Sequence, residues 1–220
     1  MVLSKNIIEI LKNFSTINQG IVIKKGNILK TMNVLKNTFA IATVPDTFDK
    51  EFAIYDLTEL LDVYASLDPC EVDFKEKKLV VSNGVYSINY FYSNPSVVIS
   101  PGDKNIVLPS KDKHFTLTRE VFNKILKTSS IMKLRDIQID SKGITVLNRN
   151  TAGENPIGNT LDISIDVTCE QSTKPSFMKI ENLKLIPLDY EVFISEKGIA
   201  HFLSRNEEYK LEYFITLDIE

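Results

Sequence analysis

Histidines, cysteines and phosphate-cradling glycines are the residues whose spacing announces chemistry, and in this chain each stands isolated. His114 and His201 have no H-E-x-x-H around them, no C-x-x-C is present, and no G-x-G-x-x-G or G-x-x-x-x-G-K-[ST] loop exists to wrap a phosphate. Cys70 and Cys169 lie far apart, which favours buried, reduced thiols over a disulfide or half of a metal site. Asp and Glu are plentiful, but they fall at helix-surface or strand-alternation positions, where a solvated face is the ordinary reading. The expectation is a protein with no catalytic residue, no metal and no cofactor.

What remains is a set of cations on the polar sides of amphipathic segments: Lys5 and Lys12, then Arg119, Lys124 and Lys127, then Lys179 and Lys184. Alone, each is ordinarily a solubilising residue. Turned toward one cavity, such faces attract a phosphate backbone without reading bases. A formal net charge of -3 argues against gripping nucleic acid by overall charge, yet allows a local basic stripe.

The elements that must position these cations are four helical segments, each followed by strand-like runs. Residues 4–14 place Ile7, Ile8, Leu11 and Phe14 on one face. Residues 56–67 open with Asp56 and Glu59 at capping-box spacing and carry Glu59 and Asp62, with no lysine, on the polar side. Residues 118–129 start at Thr118 as cap and bury Val121, Phe122, Ile125 and Leu126. Residues 177–185 form a fourth, shorter helix ahead of Pro187. Alternating or β-branched runs such as 20–23, 78–82, 85–92, 137–139, 144–147, 161–167, 190–194 and 209–217 read as strands. Turns at Gly26, Gly84, Gly143 and Gly198 make most of them antiparallel hairpins. Residues 94–113 read as a connector and 148–159 as an exposed loop.

The chain also echoes itself. ILKNFSTI at 10–17 returns as ILKTSSI at 125–131, each leading to an I-x-I strand and a turn glycine, and the run at 86–91 is answered at 209–214. Order and spacing imply two similar domains, 1–108 with the connector and 109–220, each of two helix-plus-antiparallel-sheet units in an α+β fold. At 43% hydrophobic and 25% charged, the composition is that of a globular protein. No apolar run approaches the roughly 18 residues of a membrane helix, and the N-terminus lacks a signal-peptide core. A cytosolic setting without membrane contact follows.

ILKNFSTIN at 10–18, AIYDL at 53–57 and NPSVV at 94–98 occur in order on this doubled plan, and together they resemble the sliding clamps of T4-type bacteriophages, processivity factors of the replicative DNA polymerase. The resemblance is clearest over the first hundred residues. It implies the DNA-clamp fold, with helices lining the hole of a homotrimeric ring in the cytoplasm of an infected bacterium. The implied partners are duplex DNA bound without regard to sequence, further copies of the chain, the polymerase, an ATP-dependent clamp loader and, as in some relatives, late-transcription factors. The cations named above become the DNA-binding set, with Lys24, Lys25, Lys133, Arg135 and Arg149 as additions near the rim. Subunit contacts fall on strands 85–92 (Ile88, Tyr90, Tyr92) and 161–167 (Leu161, Ile163, Ile165), whose alternative role is plain core. Ile106, Val107 and Leu108 in the connector, with Tyr209, are the candidates for a partner-peptide contact; packing of the connector on its own sheet is the alternative. A ring-forming structural phage protein would share the repeat and the edge strands but not the basic helix faces.

Overall fold

The computed structural model describes residues 2–103, 105–149, 158–169 and 174–218, so most of the loop expected at 148–159 lies outside the described residues. The chain forms two compact units, Met1–Lys104 with Glu208–Leu211, and Asn105–Glu207 with Glu212–Glu220.

In the first unit, α1 (Lys5–Ile17) begins where Ser4 Oγ accepts from the Ile7 N–H. It buries Ile7, Ile10, Leu11, Phe14 and Ile17, a spacing that keeps one face apolar. It outruns the expected end at residue 14 because Ile17 gains a buried seat that prolongs the apolar face, while Ser15 and Thr16 satisfy their hydroxyls on the carbonyls of Lys12 and Asn13. Next come β1 (Ile21–Ile23), β2 (Gly26–Met32), β3 (Thr38–Phe48) and β4 (Phe52–Ile54). Gly26 does not close a hairpin, as the turn signal had suggested. At φ 118° it turns a corner between sheets: β1 pairs with β4, while β2 pairs with β3.

Asp56 then caps α2 (Leu57–Ser66) by accepting from the Glu59 N–H at 3.0 Å. That bond, reinforced by the Gln19 amide, holds the Asp56 carboxyl below its ordinary range. Helices α1 and α2 share an apolar seam containing Leu3, Ile8, Leu11, Leu60, Leu61 and Tyr64. The unit ends in a three-stranded sheet of β5 (Glu71–Phe74), β6 (Lys78–Ser82) and β7 (Ser87–Phe91), in that order. The Asn83 carboxamide accepts from the Val85 and Tyr86 N–H groups and fixes the β6–β7 turn.

The second unit opens with β8 (Lys113–Leu117) and α3 (Arg119–Met132), capped by Thr118 and ended by Lys133 in the left-handed conformation. A hairpin of β9 (Asp136–Asp140) and β10 (Gly143–Leu147) takes β11 (Leu161–Ile163) on one side. Only glycine serves at 143: φ is 127°, and a Cβ there would lie 2.3 Å from the Ile163 carbonyl oxygen. After β12 (Thr168–Cys169), β13 (Ser176–Lys179) completes that sheet in the order β11-β10-β9-β13. The strands β14 (Tyr190–Ser195), β15 (Ile199–Ser204) and β16 (Lys210–Thr216) continue antiparallel from β8. Tyr190, Phe202 and Tyr213 fill the core beneath them, with edge-on rings about 6.2 Å apart.

The helix expected over 177–185 is not there. Ser176–Lys179 is a strand in register with β9, followed by one 3-10 turn, Ile180–Asn182. Phe177, Met178, Leu183, Leu185 and Ile186 are all buried, and those positions cannot share one helical face, so ladder pairing to β9 prevails. The strand expected over 161–167 is likewise regular only to Ile163.

Candidate nucleic-acid interface and sheet edges

The buried face of α1 leaves Lys5, Glu9, Lys12 and Thr16 exposed on the opposite side. The open side of α3 carries Arg119, Glu120, Asn123, Lys124 and Lys127. On both helices cations outnumber carboxylates, and none of Lys5, Lys12, Lys124 and Lys127 is held in an ion pair among the described residues. The exposed face of α2 is Thr58, Glu59, Asp62, Ala65 and Ser66, which is acidic as the sequence suggested.

Lys179 has a different environment, because it sits on a strand rather than on a helix surface. Its Nζ lies 2.5 Å from Asp136 Oδ1 and 3.5 Å from Asp218 Oδ2, and the Asp136 side chain is only 4% exposed. The bond to Asp136 raises the Lys179 pKa. Arg149 joins the same network: its backbone N–H donates to Asp136, its guanidinium pairs with Asp218, and it lies 4.2 Å over the Phe177 ring. Both cations therefore neutralise a buried carboxylate. Lys184, just beyond the 3-10 turn, is exposed, as are Lys25, Lys133 and Arg135. Lys24 pairs with Asp103 at 2.6 Å.

Among the described residues β7 and β5 are the two ends of the three-stranded sheet, and β11 and β13 the two ends of the four-stranded one; β7 pairs there with β6 alone, and β11 with β10 alone. On β7 the residues singled out from sequence face inward. Ile88 is half-buried, and Tyr90 donates to the Asp56 carbonyl and Glu59 carboxylate, each at 2.9 Å, so that burial and that carboxylate raise its phenol pKa. Tyr92 stacks on Phe52 at 4.9 Å, with burial pushing its hydroxyl up to about 12. The exposed apolar groups there are Val85 at 81%, Tyr86 at 66% and Phe91 at 68%. Sequence reasoning missed them, although Phe91 is legible as the odd aromatic in the polar phase of Ser87 and Asn89. Leu161, Ile163 and Ile165 are half-buried.

Of the connector triplet, Val107 is 79% exposed, whereas Ile106 and Leu108 are half-buried. Tyr209 is buried at 5%. The two histidines are not solitary solvated side chains. His114 and His201 bond Glu191 and Glu212 at 2.5 and 2.8 Å, and their rings stack on Phe193 and Phe214 at 4.7 and 4.3 Å. Cys70 is buried and Cys169 half-buried, both as free thiols. Among the described residues no group of three or more His, Cys, Asp or Glu is placed to hold a metal.

Residues 4–100 match the family model described as DNA polymerase processivity factor. The chain is 33% identical over 226 aligned positions to the sliding clamp of Vibrio phage KVP40, covering 99% of each. It belongs to the sliding-clamp family. The sliding clamp of Enterobacteria phage T4 is 28% identical over 208 positions, 90% of this chain and 89% of that one. Among solved structures, proliferating cellular nuclear antigen from Entamoeba histolytica aligns with a TM-score of 0.69 at 14% identity, over 97% of this chain and 95% of its own. The A. fulgidus counterpart, bound to the C-terminal region of FEN-1, gives 0.67 at 12%, with the same coverage of each chain. At those identities the likeness is one of fold, and the DNA-clamp fold expected from the sequence is the fold observed.

Proposed function

We propose that this chain is a sliding clamp of phage DNA replication: a homotrimeric ring that encircles duplex DNA and tethers the replicative polymerase, without catalysis of its own. The observation that carries this reading is the 33% identity to a phage sliding clamp along 99% of both chains. Lys5, Lys12, Arg119, Lys124 and Lys127, exposed on α1 and α3, supply a lining that attracts phosphate by charge alone. Such attraction is salt-dependent and indifferent to sequence. Topology then does the holding, since a closed ring cannot leave sideways, and a net charge of -3 is no obstacle. Lys184 adds to the same field, and Lys179 contributes to it only from within its ion-pair network.

Ring closure satisfies the free sides of β7 and β11 by pairing one with the other across subunits. Phe91, Tyr86 and Val85 then meet Leu161, Ile163 and Ile165, with Ile88, Tyr90 and Tyr92 as the layer beneath. Val107 is the connector residue best exposed to receive a hydrophobic partner peptide. Opening the ring falls to a separate ATP-dependent clamp loader, because this sequence has no phosphate-binding loop. Primer extension on a primed circular template, with polymerase, loader and ATP, tests the reading. Adding the chain should lengthen the products of single binding events; unchanged lengths would contradict it.

A further inference from the structure

In the first unit a groove separates two helices whose outer sides differ in sign. Lys5 and Lys12, with Glu9 between them, form its α1 wall, and Ala65 with Asp68, just beyond the last turn of α2, forms the other. The floor is apolar around Leu61 and Tyr64. Burial, with Cys70 and then Asp68, raises the Tyr64 phenol pKa, so Tyr64 stays neutral at physiological pH and the field of Asp68 reaches the floor. On α2 the exposed Asp62 lies one turn before Ala65, and exposed Glu59 stands a further step from the groove. Between Lys50 and Lys75 the sequence has no lysine or arginine. A phosphate over the crown of α1 therefore meets Lys5 and Lys12 against Glu9, whereas one settling toward α2 meets carboxylates on that helix and no cation.

We propose that Asp62 and Asp68 are positioning residues for duplex DNA: they hold its phosphates out of this groove and confine their contact to the crown of α1, which keeps the attraction weak and readily exchanged as the duplex moves. The inference rests on the reading that α1 faces DNA, and it gives α2 a part in that contact. The repulsion acts through water across the groove, so salt screens it on the same scale as the attraction it opposes. An acidic face that only kept the chain soluble would leave the path of the DNA unchanged.

The test replaces Ala65, in the groove, or Thr16, on the crown of α1, with the photo-crosslinking residue p-benzoylphenylalanine and exposes the full chain to a short linear duplex at low salt. With α2 otherwise unaltered, crosslinking should come mainly from position 16. Asp62→Asn with Asp68→Asn should raise crosslinking from position 65 by about threefold and tighten duplex binding, read by anisotropy, by about twofold, both gains fading as salt rises. Glu59→Gln with Asp62→Asn keeps an acceptor for the Tyr90 hydroxyl, should act in the same direction more weakly, and serves if the first variant fails to fold. Equal crosslinking from the two positions before any carboxylate is neutralised overturns the proposal. So does a neutralised variant whose crosslinking and affinity are unchanged. Crosslinking from neither position overturns the reading that α1 faces DNA, and this inference with it.

Discussion

Replacing Lys179 with methionine should destabilise the second unit and leave duplex binding nearly intact, the reverse of what Lys124→Gln with Lys127→Gln should do. Asp136, 4% exposed at its side chain, accepts from Lys179 at 2.5 Å and from the Arg149 backbone N–H at 3.1 Å. Stranding a buried charge by removing its partner costs about 3–5 kcal/mol. Arg149 remains in place, with Nε 3.7 Å from Asp136, and Lys179 is itself 38% exposed, so the loss is smaller. About 2 kcal/mol is the reasonable figure. With a urea dependence of about 1–3 kcal/mol/M, the unfolding midpoint should fall by about 1 M. The Lys124 and Lys127 double variant should keep its midpoint, and its salt dependence of duplex binding should flatten by up to about 0.9 in log–log slope for each phosphate that is no longer neutralised. Urea unfolding and a salt titration of duplex binding read the two effects separately. A Lys179→Met protein with a wild-type midpoint and a flattened salt slope would refute the assignment of Lys179 to the buried network.

Other expectations follow from particular side chains. Phe91→Asp and Ile163→Arg should each leave a folded chain but shift sedimentation from trimer to monomer, since losing an interface anchor commonly costs about 2 kcal/mol or more; a trimer intact at micromolar concentration would remove these edges from the interface. Asp56→Ala should cost about 1 kcal/mol at neutral pH. Because the folded Asp56 carboxyl is held below its unfolded value, the cap's contribution is present above that value and lost as pH falls through the folded pKa. The gap between variant and parent in urea unfolding should therefore close below about pH 4 and stay open at neutrality. Gly143→Ala forces a positive φ and a clash with the Ile163 carbonyl, so β11 should detach from β10, seen as faster hydrogen exchange of the Ile163 amide and loss of trimer.

α2 and α3 were legible because cap and apolar period agree at Asp56 and Thr118, and α1 by its apolar period alone, its Ser4 cap being visible only in the structure. The stretch 177–185 misled because its buried residues alternate ambiguously, and its fate is decided by a partner strand, β9, remote in sequence. The same non-local cause hid the role of Lys179: a lysine beside apolar residues carries no sign that a buried Asp136 waits across a ladder. Gly26 signalled a turn, but whether a turn closes a hairpin or changes sheet depends on β4, which no local motif reveals. His114 and His201 looked solitary because the glutamates and rings that engage them come from neighbouring strands. The cationic faces of α1 and α3 were readable since helix spacing alone decides what is left outside. The outward residues of β7 were not, because picking the longer aromatic phase, Tyr90 and Tyr92, selected the face that packs on α2 and Phe52.

The central claim is that the chain holds DNA by encirclement. It is tested most directly by loading fluorescently labelled chain onto nicked circular plasmid with loader and ATP, washing at high salt, and cutting the plasmid with a restriction enzyme. A topological clamp should survive the wash on the circle and be lost once free ends exist. Loss from the circle during the wash, or equal retention after linearisation, would contradict it.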